Sequence, residues 1–352
     1  MDKERTQRFM QKLVGDVGTA MAAALVFVGD RTGLFKAMAG AGSITADSLA
    51  DTTGIHPRYV EEWLGAMTCI GYVEHDPAGD TFALPDEHAL FFVDPASEYY
   101  FGGMFGALPE MMGVAPRLAA AFKRGDGISY AEFGAGLPVA IERMNRSIYE
   151  SRLVQSWLPT MPEVVRRLEA GGRAIDIGCG TGVVPVVLAK GFPQARIEGL
   201  DLDARSIENA AGYAAEAGVA GRVRFINASA DSLPAEPAYD LITTFDVVHD
   251  LPDPLGTLER IRAALAEGGS YLMVEPKMGD GLDENRQNPF GRMFYSISCL
   301  HCVPQSLSQG GPGLGACWGP SRARELASQA GFGHFEVLPA RSPAMAFYEL
   351  RA

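Results

Sequence analysis

The stretch Ala-Ile-Asp-Ile-Gly-Cys-Gly-Thr-Gly, residues 174–182, decides the fold of this chain. Apolar residues surround Asp176, three glycines follow at alternate positions, and an apolar run begins at Val183, a pattern that predicts a strand, a tight turn and a helix. Glycines let a ligand approach the backbone, and a helix start offers free N–H groups. The segment 197–201 ends a second predicted strand on Asp201, which is placed to accept hydrogen bonds from both hydroxyls of a ribose. These residues predict a site for a small molecule that contains a nucleoside.

The glycine spacing narrows the choice of nucleoside. Gly178, Gly180 and Gly182 give G-x-G-x-G, whereas a dinucleotide fingerprint would place its third glycine where this chain has Val183. Asp176 suits an ammonium group and would repel a pyrophosphate, and no lysine lies in the turn. The segment resembles motif I of class I S-adenosylmethionine-dependent methyltransferases, although any strand-to-helix turn of an α/β protein has some of these features. The resemblance implies S-adenosylmethionine (SAM) as the cofactor.

The resemblance also implies which residues contact the cofactor. The loop after the third strand wraps the adenine in that family, but Ser229 occupies the usual position of an acid, so this role passes to Asp231 or to the backbone N–H of Ala230. The expected contacts lie in the glycine turn and after the second, third and fourth strands: Asp176, Gly178, Cys179, Gly180, Gly182, Asp201, Leu202, Ala230, Asp231, Phe245 and Asp246.

Strand and helix patterns alternate through the second half of the chain, which predicts an α/β fold with a doubly wound sheet. The predicted strands are 173–177, 196–201, 223–228, 239–245 and 270–275, followed by a terminal pair at 334–338 and 344–350. A hairpin after five such units resembles the methyltransferase sheet, whose last strand is antiparallel. We therefore expect a seven-stranded, mostly parallel, Rossmann-like sheet with a C-terminal antiparallel hairpin.

The N-terminal part predicts a mostly α-helical winged-helix domain. Helices at 1–40, 44–50 and 56–70 precede two short strands, 71–74 and 81–84. DNA binding is disfavoured, because Arg58 is the only Lys or Arg from 41 to 95, against ten Asp and Glu. The region resembles the dimerisation module of small-molecule methyltransferases, which implies a homodimer through the first helices, although an apolar stripe there also fits a protein core. The expected domains are 1–95 (winged helix and dimerisation), 96–170 (helical connector and substrate pocket) and 171–352 (SAM binding).

The fourth strand ends near His249 and Asp250, which therefore lie where an open parallel sheet binds ligands. A histidine suits removal of a proton from the methyl acceptor, so His249 is the candidate general base, with a buried or helix-capping histidine as the alternative. His301, in the segment where the family places its substrate lid, completes the candidate catalytic set. His249, Asp250 and His301 also form a two-histidine, one-carboxylate set typical of divalent metal sites, and some relatives use a bound metal to stabilise an enolate. Both possibilities stay open on sequence alone.

Composition excludes several classes of protein. The chain has 352 residues, a net charge of −13 and 47% hydrophobic residues, typical of a globular protein without a nucleic-acid-binding face. Five irregularly spaced cysteines do not suggest a disulfide framework. The longest uncharged stretch near the start, 17–29, has 13 residues, fewer than the roughly 20 of a membrane span. We expect a cytoplasmic protein without a membrane or nucleic-acid partner.

These observations predict a homodimeric SAM-dependent methyltransferase that methylates an O, N or C atom of a small molecule. One alternative is a SAM-binding enzyme of this fold without methyl transfer. A second is a transcriptional regulator that senses the cofactor and uses the winged helix to bind DNA.

Overall fold

The computed structural model describes residues 1–352, which form two compact units. The first unit contains Met1–Pro109 and Val139–Ser147, and the second contains Glu110–Pro138 and Ile148–Ala352. The segment predicted as one connector, 96–170, is thus divided between the two units.

The first unit contains a winged-helix arrangement of short helices and one β-hairpin. Thr45 caps α3 as predicted, because its hydroxyl accepts a hydrogen bond from the Ser48 N–H. The first hairpin strand begins at Glu74, later than predicted, because the N–H groups of Tyr72 and Val73 both donate to the Met67 carbonyl at the end of α4. The elements are α1 Lys3–Thr32, α2 Leu34–Met38, α3 Ala46–Thr53, α4 Pro57–Cys69, β1 Glu74–Asp76, β2 Thr81–Ala83, α5 Asp86–Phe92 and, extending into the second unit, α6 Gly102–Gly113.

The helix α1 is mostly exposed along its 30 residues, and only Ala22, Val26 and Gly29 are buried. By length and composition α1 is apolar enough to cross a membrane, a test that core helices and N-terminal signal sequences also pass. Its exposed large apolar side chains recur at helical spacing: Phe9, Met10, Leu13, Val14, Val17, Met21 and Val28.

The second unit is built around a seven-stranded sheet with helices on both faces. The strands are β3 Arg173–Ile177, β4 Arg196–Asp201, β5 Val223–Asn227, β6 Tyr239–Phe245, β7 Leu265–Pro276, β8 His334–Val337 and β9 Met345–Arg351. The helices are α7 Ala115–Arg124, α8 Gly136–Arg152 (which includes residues of the first unit), α9 Pro162–Glu169, α10 Val183–Gly191, α11 Ala204–Glu216, α12 Pro254–Ala264, α13 Leu282–Asn285, α14 Gly291–Ile297, α15 Val303–Ser308 and α16 Gly319–Gln329. Two π-helical turns, Leu153–Trp157 and Ser298–Cys302, precede short helical segments.

The strand order is β5-β4-β3-β6-β7-β9-β8, and β9 is antiparallel to both of its neighbours. This arrangement confirms the predicted doubly wound, mostly parallel sheet with an inserted antiparallel last strand. Both faces are buried: Tyr271 and Met273 of β7 pack into one apolar core, whereas Leu272 and Val274 pack into the other.

The parallel strands bring their carboxyl ends to one edge of the sheet. Asp176, Asp201, Phe245 and Glu275 lie at or next to the ends of β3, β4, β6 and β7. Because open α/β sheets bind ligands beyond these ends, this edge is the place to look for a functional site.

Candidate functional site

The glycine turn after β3 has the left-handed backbone that its sequence predicts. Gly178 has φ +70°, and a Cβ there would lie 2.5 Å from a methyl group of Val247. Gly182 has φ +82°, and its Cβ would lie 2.7 Å from the Cβ of Ala210. Any larger residue at either position would strain the backbone and collide with its neighbours, so the turn requires glycine at both positions.

Asp201 at the end of β4 is tied to this turn by its carboxylate. Its Oδ2 accepts a hydrogen bond from the Gly180 N–H at 2.8 Å, and its Oδ1 accepts one from the Asp203 N–H at 2.8 Å. Burial raises the pKa of Asp201, and the hydrogen bonds from these backbone N–H groups oppose that rise. Each oxygen keeps a free lone pair, so the fixed carboxylate can still accept from two ligand hydroxyls.

Asp176 is a buried carboxylate with one partner in the protein. It lies beside Thr243 of β6 in the strand register, and the Thr243 hydroxyl donates to its Oδ1 at 2.6 Å. Its exposed fraction is 2%, and burial raises its pKa to about 8. A cation bound next to this carboxylate would restore its charged form.

The other predicted cofactor residues lie on the loops along the same edge. Leu202 is exposed after β4, and Cys179 is buried in the glycine turn. Asp231 forms an ion pair with Arg260 at 3.1 Å, and its backbone N–H donates to the Ser229 hydroxyl. Ala230 begins the short helical turn that contains Asp231.

Asp246 follows β6 with a backbone conformation that non-glycine residues seldom adopt. Its φ is +57°, and its N–H donates to the Val274 carbonyl at 2.9 Å. Burial raises its pKa to about 7. Such strain is common at functional sites, where the surrounding structure holds it in place. The preceding residue, Phe245, packs its ring against Tyr149 with 5.0 Å between ring centroids.

His249 is buried, and one of its ring nitrogens is paired with the carboxylate of Glu275, which was not among the predicted site residues. Its Nδ1 lies 2.5 Å from Glu275 Oε2, and Glu275 also accepts hydrogen bonds from the Val248 N–H and the Trp318 indole N–H. Burial lowers the pKa of His249, but the charges of Glu275 and Asp250 outweigh burial and raise it well above its usual value. Glu275 could have been found from sequence, because it ends an otherwise apolar strand on an acid, as Asp201 does.

Asp250 and His301 contribute buried polar atoms without a hydrogen-bond partner. These atoms are Asp250 Oδ1 and His301 Nε2. His249 Nε2 lies 3.4 Å from Asp250 Oδ1. Burial lowers the pKa of His301, and the nearby charge of Asp250 opposes this change. Unsatisfied buried polar atoms are rare in folded proteins, so these two atoms are candidates for contact with a bound ligand, ion or water.

Near the end of β6, potential metal-ligating atoms of His249, Asp250 and Cys302 lie within 4.8 Å of one another. His301 is not part of that group, so the His249, Asp250 and His301 metal set stays a prediction. The Cys302 thiol was not among the predicted site residues, since a single buried cysteine carries no sequence signal of its own. Cys299, which forms a C-x-x-C sequence with Cys302, is exposed.

The winged-helix arrangement presents an acidic surface. Arg58 on α4 is held by two acids of the same helix, Glu61 at 2.7 Å and Glu62. The single basic residue from 41 to 95 is therefore already paired within the helix that would read DNA.

Two family models match this chain. Residues 168–311 match a model described as a methyltransferase domain, and residues 20–93 match one described as an Rv2258c-like winged HTH domain. The chain thus contains one segment similar to a winged-helix domain and one segment similar to a methyltransferase domain. The predicted resemblance to methyltransferases with an N-terminal winged-helix domain is thereby confirmed, whereas the domain bounds stay a prediction.

The curated relatives that this chain matches include several methyltransferases. The trans-aconitate 2-methyltransferase of Streptomyces avermitilis is 32% identical over 147 residues, which cover 40% of this chain and 53% of the relative. The match thus spans about half the length of that relative.

The structure of mitomycin 7-O-methyltransferase superposes with a TM-score of 0.72 at 18% identity, covering 99% of this chain and 100% of the other. Human N-acetylserotonin methyltransferase, solved in complex with SAM, superposes with a TM-score of 0.66 at 19% identity, covering 100% and 98%. At these identities the two structures establish the shared fold.

Proposed function

We propose that this chain transfers a methyl group from SAM to an O, N or C atom of a small molecule. One observation carries the proposal: the glycine turn is bound to Asp201 and lies beside the buried Asp176, at the edge of the sheet where this fold binds ligands. Two carboxylates at the ends of adjacent strands suit a ligand with a ribose at one end and an ammonium group at the other.

The two carboxylates would divide the cofactor between them. Asp201 accepts hydrogen bonds from the ribose hydroxyls, because its oxygens are fixed by backbone N–H groups and keep free lone pairs. Asp176 pairs with the ammonium group, which compensates its burial. The adenine lies among Leu202, Ala230 and Asp231, and Phe245 and Asp246 line the side nearest the reacting methyl group. SAM supplies an electrophilic methyl group on a sulfonium.

His249 is the candidate general base. With Nδ1 held by Glu275, Nε2 of His249, whose ring also lies near the Cys302 thiol, would take a proton from the acceptor during methyl transfer. The Glu275 carboxylate stabilises the resulting imidazolium. Asp250, 3.4 Å from Nε2, is placed to orient the acceptor.

A metal-assisted reaction is the second candidate, and the unpartnered Asp250 Oδ1 and His301 Nε2 favour it. The Nδ1 contact of His249 with Glu275 is the usual outer-shell contact of a metal-binding histidine. His249, Asp250 and His301 would hold a divalent ion, and the ion would stabilise negative charge on an enolate-type acceptor. Elemental analysis of the purified protein distinguishes the two candidates: one metal per chain favours the second, and less than a tenth favours the general base.

The assembly and location belong to the same proposal. The exposed apolar side chains of α1 would be covered by the same helix of a second copy, giving a homodimer. The acidic winged helix then serves assembly rather than DNA binding, and the protein acts in the cytoplasm.

A SAM-binding enzyme without methyl transfer, or a cofactor-sensing regulator, remains the alternative class. Incubation with methyl-labelled SAM and an extract of small metabolites, followed by mass spectrometry, tests the proposal. A labelled small molecule that the H249Q variant does not form supports it. Tight SAM binding without any labelled product would favour the alternatives.

A further inference from the structure

The helical segment 298–308 carries, in addition to His301, a second side chain with a buried polar atom that lacks a partner, Gln305. Gln305 lies four residues after His301, so both side chains lie on one face of this segment. Gln305 Oε1 is buried without a hydrogen-bond partner, as are His301 Nε2 and Asp250 Oδ1. Of the five buried side-chain atoms without a partner in the chain, three thus belong to this region.

The segment is fixed to the turn that contains His249 and Asp250. The Ser306 hydroxyl donates to the Leu251 carbonyl at 3.1 Å, and the Gly315 N–H donates to the His249 carbonyl at 3.3 Å. Gln305 and His301 directly precede Ser306 and Cys302, the two residues of the segment that face this turn. Their positions relative to Asp250 are therefore set by the fold.

Aromatic rings cover His301 on the other side. The Phe133 and Tyr130 rings meet the His301 ring edge-on, with centroid distances of 4.8 Å and 5.9 Å. The loop that carries them is held by the Ile128 N–H, which donates to the Pro304 carbonyl at 3.0 Å. Flat apolar walls beside buried polar atoms are typical of sites for planar organic ligands.

We propose that Gln305 and His301 determine acceptor specificity by binding a second polar group next to the one that is methylated. Gln305 Oε1 lacks a donor, Asp250 Oδ1 has only His249 Nε2 at 3.4 Å, and the Phe133 and Tyr130 rings beside His301 favour a flat ligand ring. The ligand class that satisfies both is a planar aromatic acceptor with two adjacent hydroxyl or amino groups. This inference rests on the proposed methyl transfer and adds the acceptor class to it.

A matched ligand pair tests the inference without turnover. Calorimetry on EDTA-treated protein saturated with S-adenosylhomocysteine compares 2,3-dihydroxynaphthalene with 2-naphthol, which lacks one hydroxyl. We expect the diol to bind at least about tenfold more tightly, because the mono-ol leaves a buried acceptor unpaired. Equal affinity for the two ligands, or no binding of either, would overturn the inference.

Substitution identifies the residue responsible. Gln305→Leu keeps the side-chain size but removes the oxygen, and it should reduce the preference for the diol to about threefold or less while leaving binding of 2-naphthol unchanged. Gln305→Met provides a second apolar variant should the first fold poorly, and Gln309→Leu, an exposed position one turn later, is the matched control. A full preference in both Gln305 variants would contradict the role of Gln305. Failure of the wild-type protein to bind S-adenosylhomocysteine at all would instead contradict the proposed methyl transfer itself.

Discussion

Three acidic residues at the carboxyl ends of strands have different partners, and these partners suit different tasks. Asp201 accepts from two backbone N–H groups and is fixed for hydroxyl recognition. Asp176 has one hydroxyl partner and a pKa raised by burial, which suits a cationic ligand group. Glu275 joins His249, Trp318 and the Val248 backbone, which suits the positioning of a base.

The buried Asp176 should cost stability when the cofactor is absent. Its folded pKa of about 8 lies above the unfolded value of 3.8, so the folded state holds a proton that the unfolded state has lost between these values. The contribution of Asp176 to stability therefore falls as pH rises through this window. At pH 8, Asp176→Asn should raise the free energy of unfolding of the cofactor-free protein by on the order of 2 kcal/mol, which corresponds to a melting temperature several degrees higher. Near pH 4 the substitution should change the melting temperature little.

The same variant should bind SAM at least about tenfold more weakly, because the neutral amide does not pair with the ammonium group. Thermal scans at both pH values and calorimetry measure the two effects, with the exposed Asp283→Asn as a control. A melting temperature that stays unchanged at pH 8 would show that Asp176 is not held protonated.

Glu275 should control both the rate and its pH dependence. Glu275→Gln removes a charge that raises the pKa of His249, so the rise of kcat with pH should move to lower pH. Because the amide stabilises the imidazolium less well, kcat should fall by about 10–100-fold, whereas the Kd for SAM stays within about twofold. Glu198→Gln, whose partners are Tyr239 and Arg224, serves as the control. An unmoved pH profile would leave Glu275 with a structural role alone.

Among the secondary-structure elements, the bounds of strands that are buried on both faces could be predicted from their apolar runs. The bounds of β3, β4 and β6 agree with those predicted. In contrast, β7 begins at Leu265 rather than at residue 270, because its first residues pair with Tyr239 across an irregularity next to two glycines. Glycine weakens the strand pattern in sequence, so such an extension depends on the partner strand.

The site was predictable only where function follows a local motif. The glycine turn, Asp201, His249 and Glu275 lie at or just after the ends of apolar strands, whereas Cys302 is recognisable only from the side chains that face it in three dimensions. Gln305 has no local sequence signal, because it is distinguished only by a buried side-chain oxygen that lacks a hydrogen-bond partner.

The exposed stripe of α1 makes a separate prediction. The double variant Leu13→Glu and Val17→Glu should convert a dimer into a monomer, because two charges in an apolar interface are costly. Size-exclusion chromatography with light scattering measures the mass, and Gln11→Glu on the same helix is the control. A wild-type protein that is already monomeric would contradict the proposed homodimer. If the protein instead floats with lipid vesicles, and this binding requires α1, the exposed stripe would be a membrane-binding surface.

Because the whole molecule is negatively charged, we expect the winged helix to bind DNA poorly. With a net charge of −13 and Arg58 paired to its own helix, the chain should not bind double-stranded DNA even at about 50 mM salt, where phosphate contacts are strongest. Fluorescence anisotropy with labelled genomic fragments measures this, with and without SAM. Binding that weakens steeply with added salt would favour the regulator over the small-molecule methyltransferase.

Calorimetric titration of the purified protein with SAM tests the central claim most directly. We predict one SAM bound per chain and no binding of NAD. We also predict that Asp201→Ala weakens SAM binding by about 1–3 kcal/mol, because ribose hydrogen bonds to a charged group are lost. Absence of SAM binding, or an affinity that the Asp201 substitution leaves unchanged, would contradict the cofactor site on which the proposed function depends.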